Sequence, residues 1–66
     1  MRVVANGDAV ELPEGSRLSD LLDVLGLGAR WVVAEVNGEA VPRREMPLMR
    51  LSDGDRVELV RAVAGG

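Results

Sequence analysis

The chain contains no Cys, His, Lys, Tyr or Phe, and each gap removes a class of function. Without Cys there is neither a disulfide staple nor a thiolate nucleophile, and without His the commonest metal ligand and the commonest general base are missing. The carboxylates are spread through predicted turns and solvent faces and do not converge in sequence, so no nucleophile–base pair or ligand cluster stands out. An enzyme with its own active site is therefore not expected. All eight basic residues are Arg, so apart from its N-terminal amine the chain offers no amine for conjugation to a second copy, which disfavours a chain-building tag. Eleven acids outnumber the eight Arg to give a net charge of −3, which argues against nucleic acid and favours a partner with a basic surface. The longest apolar run is residues 31–34, and no long apolar segment follows Arg2. No membrane span is expected, and the location expected is the cytoplasm.

What is present is ordinary globular material, 47% hydrophobic and 29% charged over 66 residues. That is enough for one domain and too little for two, with modest stability. Residues 1–5 are apolar and Val-rich and meet Asn6-Gly7, a pair suited to the positive φ angles of a two-residue type I′ hairpin turn. The second strand, 8–12, alternates: Val10 and Leu12 share one face, Ala9 and Glu11 the other. Pro13-Glu14-Gly15 ends it.

From Ser16 the period changes. Leu18, Leu21, Leu22 and Leu25 stand at i, i+3, i+4 and i+7, which predicts a helix whose leucine stripe covers the sheet. Ser16 can act as N-cap, with Asp20 helping at the positive end of the helix dipole, although the sequence leaves the exact cap open, and Gly26 or Gly28 supplies the left-handed stop. Residues 30–36 read as a strand; the apolar run 31–34 leaves its inward face ambiguous, and Val32, Ala34 and Val36 are the choice made. Asn37-Gly38 is a second hairpin pair, followed by a short extended piece at 39–41 that Pro42 stops. Arg43-Arg44-Glu45 is read as solvated loop, and 46–51 as contributing a few apolar contacts. Ser52-Asp53-Gly54-Asp55 is a turn into the longest strand candidate, 56–63. There Val57 and Leu59 face one way, and Arg56, Glu58, Val60 and Ala62 the other.

The order strand, strand, helix, strand, short strand, strand predicts one α+β domain over 1–66. Its expected form is a mixed sheet of four to five strands with one helix packed across one face, the β-grasp arrangement. The last strand runs into Ala62-Val63-Ala64-Gly65-Gly66. Two glycines lack Cβ atoms and so fit a channel too narrow for any other residue, where a partner's active site could reach the carboxylate beyond them. That carboxylate is read as the working group. Ala64, Gly65 and Gly66 are expected to form a flexible tail, with Glu58, Val60 and Ala62 as the docking surface beside it.

Three segments in order carry a resemblance over nearly the whole chain. They are Val36-Asn37-Gly38-Glu39-Ala40-Val41-Pro42-Arg43, Asp53-Gly54-Asp55-Arg56-Val57-Glu58, and Ala62-Val63-Ala64-Gly65-Gly66. The chain resembles the ThiS family, the sulfur carriers of thiamine biosynthesis within the ubiquitin-like β-grasp group. It departs at Ala5, where members often carry Phe, and in the helix and the 46–50 loop, which match only in pattern. The resemblance implies that an E1-like adenylyltransferase uses ATP and Mg²⁺ to adenylate Gly66. It implies further that a sulfur donor such as a cysteine desulfurase leads to a Gly66 thiocarboxylate, and that thiazole synthase accepts the sulfur. No permanently bound cofactor is implied. Two other readings stand beside it: a carrier serving molybdopterin synthesis, tRNA thiolation or an amino-acid pathway, and a ubiquitin-like binding module in which the Val60 and Ala62 surface does the work.

Overall fold

A computed structural model describes residues 1–61. In chain order the elements are β1 (Arg2–Ala5), β2 (Asp8–Glu11), α1 (Leu18–Val24), a 3₁₀ turn (Ala29–Trp31), β3 (Val32–Val36), β4 (Glu39–Val41), a second 3₁₀ turn (Arg43–Glu45) and β5 (Arg56–Arg61). The sheet has five strands in the order β2-β1-β5-β3-β4. β5 lies at its centre, parallel to β1 and antiparallel to β3. This is the expected mixed sheet with one helix.

Both two-residue turns have the predicted chemistry. Asn6 and Gly7 sit at φ 49° and 85°, Asn37 and Gly38 at 52° and 86°. Type I′ turns need positive φ at both central positions, and Asn followed by Gly meets that need at low cost. The first turn sets Ala5 opposite Asp8, the second Val36 opposite Glu39.

One face of the sheet is the core. Val3 and Ala5 of β1, Val32, Ala34 and Val36 of β3, and Val57 and Leu59 of β5 are buried with Leu18, Leu21 and Leu22 of the helix. The inward face chosen for 30–36 is therefore the observed one, although the strand begins only at Val32 because residues 29–31 form the 3₁₀ turn. Leu12 is buried and Val10 packs against the core, while Ala9 and Glu11 are exposed, as the alternation implied.

The helix departs from expectation at both ends. Ser16 is not its N-cap: that position is Arg17. The Ser16 hydroxyl instead donates to the Pro13 carbonyl at 2.6 Å inside the preceding turn. The helix's first N–H groups find other acceptors, Leu18 donating to Met49 O at 2.9 Å and Ser19 to Met46 O at 3.2 Å. Asp20 does help, accepting from the Arg17 N–H at 2.8 Å. A backbone loop thus does what a capping hydroxyl usually does. At the other end Gly26, at φ 71°, is the left-handed residue. Gly26 N–H donates to Asp23 O and Leu27 N–H to Leu22 O, the two bonds of a Schellman stop. The helix is therefore only two turns long. Leu25 lies past its end and is partly exposed, so the stripe of four leucines is a buried stripe of three.

The loop at 46–51 contributes more than a few contacts. Met46 and Leu51 are fully in the core, and Leu51 N–H donates to Ser16 O at 2.9 Å. The loop closes the open edge of the core beside the short helix, which a periodicity argument could not foresee in a segment without a period.

Candidate functional site

The site expected from the sequence is the last strand together with the residues beyond it. β5 carries Val57 and Leu59 inward and Arg56, Glu58 and Val60 outward, as the alternation predicted. Ala62, Val63, Ala64, Gly65 and Gly66 lie outside the described residues, so the tail expected at 64–66 and one of the three docking residues do too. Glu58 and Val60 are exposed on the sheet face opposite the helix.

At its start β5 is tied down on both sides. Asp53-Gly54-Asp55 docks onto β1: Arg2 N–H donates to Asp53 Oδ1 and Gly54 N–H to Arg2 O, both at 2.7 Å. Asp55 folds the turn on itself, its carboxylate accepting from Ser52 N–H at 2.7 Å. Each of these acceptors satisfies a backbone donor that a turn would otherwise leave to water. On the other side Asn37 accepts from Arg56 N–H through its side-chain oxygen at 3.0 Å and donates its own N–H to Arg56 O at 2.8 Å. Its side-chain amide also donates to Asp55 Oδ1 at 3.0 Å.

Further along, the β1 side of β5 is held by Asn6. The parallel ladder runs from Val4 N–H to Asp55 O and from Asn6 N–H to Val57 O, each 2.9 Å. The chain then turns away into β2, and the Asn6 side chain supplies the next rung: its Oδ1 accepts from Leu59 N–H at 2.8 Å and its Nδ2 donates to Leu59 O at 3.1 Å. The two hairpin asparagines therefore clasp β5 from opposite flanks. In sequence they stand out only for turn geometry. Their paired occurrence, Asn before Gly on each hairpin, is the trace they leave in the sequence, and it does not show which strand lies between the hairpins.

The outward face carries an apolar pair and an acidic pair. Val33 and Val60 oppose each other across β3 and β5, 55% and 63% exposed, and Glu35 opposes Glu58 close by in the same register. Like charges directly opposite across a sheet cost stability, and among the described residues neither glutamate is in an ion pair. Towards the other edge of the sheet Arg2 does have a partner, Glu11, at 2.7 Å; that hydrogen bond and the charge behind it raise the Arg2 pKa. Trp31 is half exposed, with the Arg30 guanidinium 5.4 Å from its ring centroid. Among the described residues no group of three or more acidic side chains is placed to hold a metal, and no helix is long and apolar enough to cross a membrane.

Comparison with known proteins extends over the whole of this arrangement. The model of the ThiS family matches residues 2–66. The chain is 38% identical to the sulfur carrier protein ThiS of Thermus thermophilus over 61 residues, covering 92% of this chain and 94% of that protein. It is 27% identical to the sulfur carrier protein ThiS of Escherichia coli over the full length of both. It is also 33% identical over 66 residues to part of the thiazole synthase of Paramagnetospirillum magneticum, of whose length it spans only 20%. The crystal structure of the thiamine biosynthesis protein ThiS from Geobacter metallireducens superposes with a TM-score of 0.83 at 30% identity, with 100% of both chains covered. With a matching family model, full-length relatives and the same sheet, the chain belongs to the ThiS family of ubiquitin-like β-grasp sulfur carriers.

Proposed function

We propose that Gly66 is the sulfur-carrying residue and that the chain serves thiamine biosynthesis as a protein co-substrate, not as a catalyst. The observation that carries the reading is the family match, which runs through residue 66 and so includes Gly65 and Gly66. A carboxylate is a poor acyl donor because its charge is shared by both oxygens and it is ionised at neutral pH, its pKa being about 3.3–3.7. Activation must come first. An E1-like adenylyltransferase, using ATP and Mg²⁺ bound in its own site, joins a carboxylate oxygen to the α-phosphorus and releases pyrophosphate. A donor such as the persulfide of a cysteine desulfurase then attacks the acyl carbon through its terminal sulfur, and AMP leaves with the bonding pair. A second thiol cleaves the resulting acyl disulfide, reducing the acyl-bound sulfur and forming a disulfide with the donor. The product is a thiocarboxylate, whose sulfur is the softer nucleophile.

Thiazole synthase is the acceptor in this reading. Its support is the occurrence of a stretch similar to this chain within a protein named thiazole synthase. Gly65 supplies thinness, and Glu58, Val60 and Ala62 meet the partner. Gly65→Ala or Gly66→Ala leaves folding intact and strongly slows adenylation, because a methyl group meets the channel wall. Intact-mass measurement tests the reading. Incubated with ATP, the activating enzyme and a sulfur source, the chain gains the mass difference between sulfur and oxygen at residue 66. A Gly66 carbon that never takes sulfur, or a chain lacking Gly65 and Gly66 that keeps its function, overturns it. Transfer to a pterin-binding acceptor in place of thiazole synthase reassigns the pathway.

A further inference from the structure

We propose that Asn6 is a positioning residue for the acyl-transfer chemistry: among the described residues its side-chain amide is the last tie on the β1 flank of β5, and it fixes the backbone of the strand that precedes residues 62–66 in sequence. The functional part of this inference rests on the reading of Gly66 given above; the structural part stands alone.

β1 can pair with β5 only as far as Val57, because the chain must turn at Asn6-Gly7 to form β2. Beyond that point a central strand would be left with an N–H and a carbonyl at Leu59 facing no strand. Asn6 answers both groups at once, with an acceptor at 2.8 Å and a donor at 3.1 Å. A side-chain amide has the same donor and acceptor as a peptide unit, so this is a rung of sheet made without a strand. On the β3 flank the register continues through Val33 opposite Val60 and Val32 opposite Arg61. Asn6 thereby extends the hold on the β1 flank of β5 from Val57 to Leu59. The turn does not require this: glycine takes a positive φ as readily as Asn, so Asn6→Gly keeps the hairpin conformation and deletes only the tie. Asn37 is the matched control. It clasps the same strand at Arg56, on the opposite flank and at the end remote from Gly66.

A carrier whose last strand is loosened still docks through its outward face but presents its terminal carbon in the productive geometry less often, which lowers turnover rather than docking. Amide hydrogen exchange on the isolated protein reads the tie itself. In Asn6→Gly the Leu59 amide exchanges about tenfold faster than in the native chain, and in Asn37→Gly it stays within about twofold. With the activating enzyme and ATP, Asn6→Gly lowers kcat for adenylate formation about tenfold at a KM within about twofold, while Asn37→Gly leaves both within about twofold. Should glycine at position 6 unfold the chain, Asn6→Asp serves instead. It keeps an acceptor for Leu59 N–H and sets a second oxygen against Leu59 O, and it gives intermediate values. Unchanged Leu59 exchange overturns the proposal, as do equal kinetic losses in the two asparagine variants or a loss expressed only in KM. A native chain that accepts no AMP overturns the reading of Gly66 instead, and the exchange measurement still decides the role of Asn6.

Discussion

The two faces of β5 obey different rules. Inward, Val57 and Leu59 sit under the helix within the buried apolar core, and every choice there favours folding. Outward, the same strand sets Val60 against Val33 in solvent and Glu58 against Glu35, and among the described residues neither glutamate is in an ion pair. A surface selected only for stability would carry opposite charges or Thr at such cross-strand positions, as Arg2 and Glu11 do at the other side of the sheet. One face is therefore explained by folding and the other is not, and under the proposed function the second is the docking face. The contrast can be tested one substitution at a time.

The largest effect belongs to the inner face. Leu21 is fully buried at the middle of a helix that is only two turns long, so the helix depends on its tertiary contacts and not on its own propensity. Leu21→Ala removes the contacts that the leucine makes with the sheet and leaves a cavity, at a cost of about 2–5 kcal/mol. A domain of this size has stability of the same order, about 3–5 kcal/mol, so the variant loses a large share of its stability and unfolds at a much lower urea concentration. Urea denaturation followed by Trp31 fluorescence or by circular dichroism measures it. A midpoint close to that of the native chain would mean that the short helix contributes little to the core.

The inner face was also the legible one. Alternation set Val57 and Leu59 on one face, and the change of period at Ser16 found the helix, because burial on one side of a regular element leaves a repeat in the sequence. In 30–36 the apolar run 31–34 blurs that repeat, and the choice of Val32, Ala34 and Val36 matches the buried face. Asn-Gly pairs fixed the two hairpins for a similar local reason. What escaped was non-local. Ser16 looks like a cap in sequence, but its partner is decided by the 46–51 loop, whose carbonyls reach the helix start from far along the chain and leave the hydroxyl to Pro13. The loop's own burial has no period to show it, and Met46 could have been given any environment. At the site, the outward direction of Glu58 and Val60 was legible from alternation, whereas the asparagine clasps were not, since they depend on which strand comes to lie between the hairpins.

A smaller effect is expected at Val60. As an exposed residue in a strand already held by its neighbours, Val60→Ala shifts folding stability by no more than about 0.5 kcal/mol. If the outward face docks the activating enzyme, the same change removes apolar contact from the interface and costs about 1 kcal/mol there, a rise in KM of roughly fivefold. Val33→Ala, across the strand pair, behaves alike. The comparison of faces then appears as two opposite patterns: Leu21→Ala loses stability, and Val60→Ala loses docking. An unchanged KM in both valine variants would remove Val60 from the docking surface and leave the exposed pair without a role.

The smallest effect has the opposite sign. Glu35 and Glu58 face each other in register, so Glu35→Gln, which keeps the shape and removes one charge, stabilises the fold by a few tenths of a kcal/mol at neutral pH. Salt should shrink the gain, because exposed charges are screened within about 8–10 Å at moderate ionic strength. Glu58→Gln gives a similar gain, and the double variant gains little more than either, since one substitution already ends the repulsion. Thermal midpoints of the four chains at low and high salt complete the cycle. Additive gains, or gains indifferent to salt, would mean that the two carboxylates do not oppose each other in solution. A non-additive, salt-sensitive gain would show that the native outward face gives up stability that its inner face never does, and Glu35→Gln and Glu58→Gln could then be assayed for docking as folded, slightly more stable proteins.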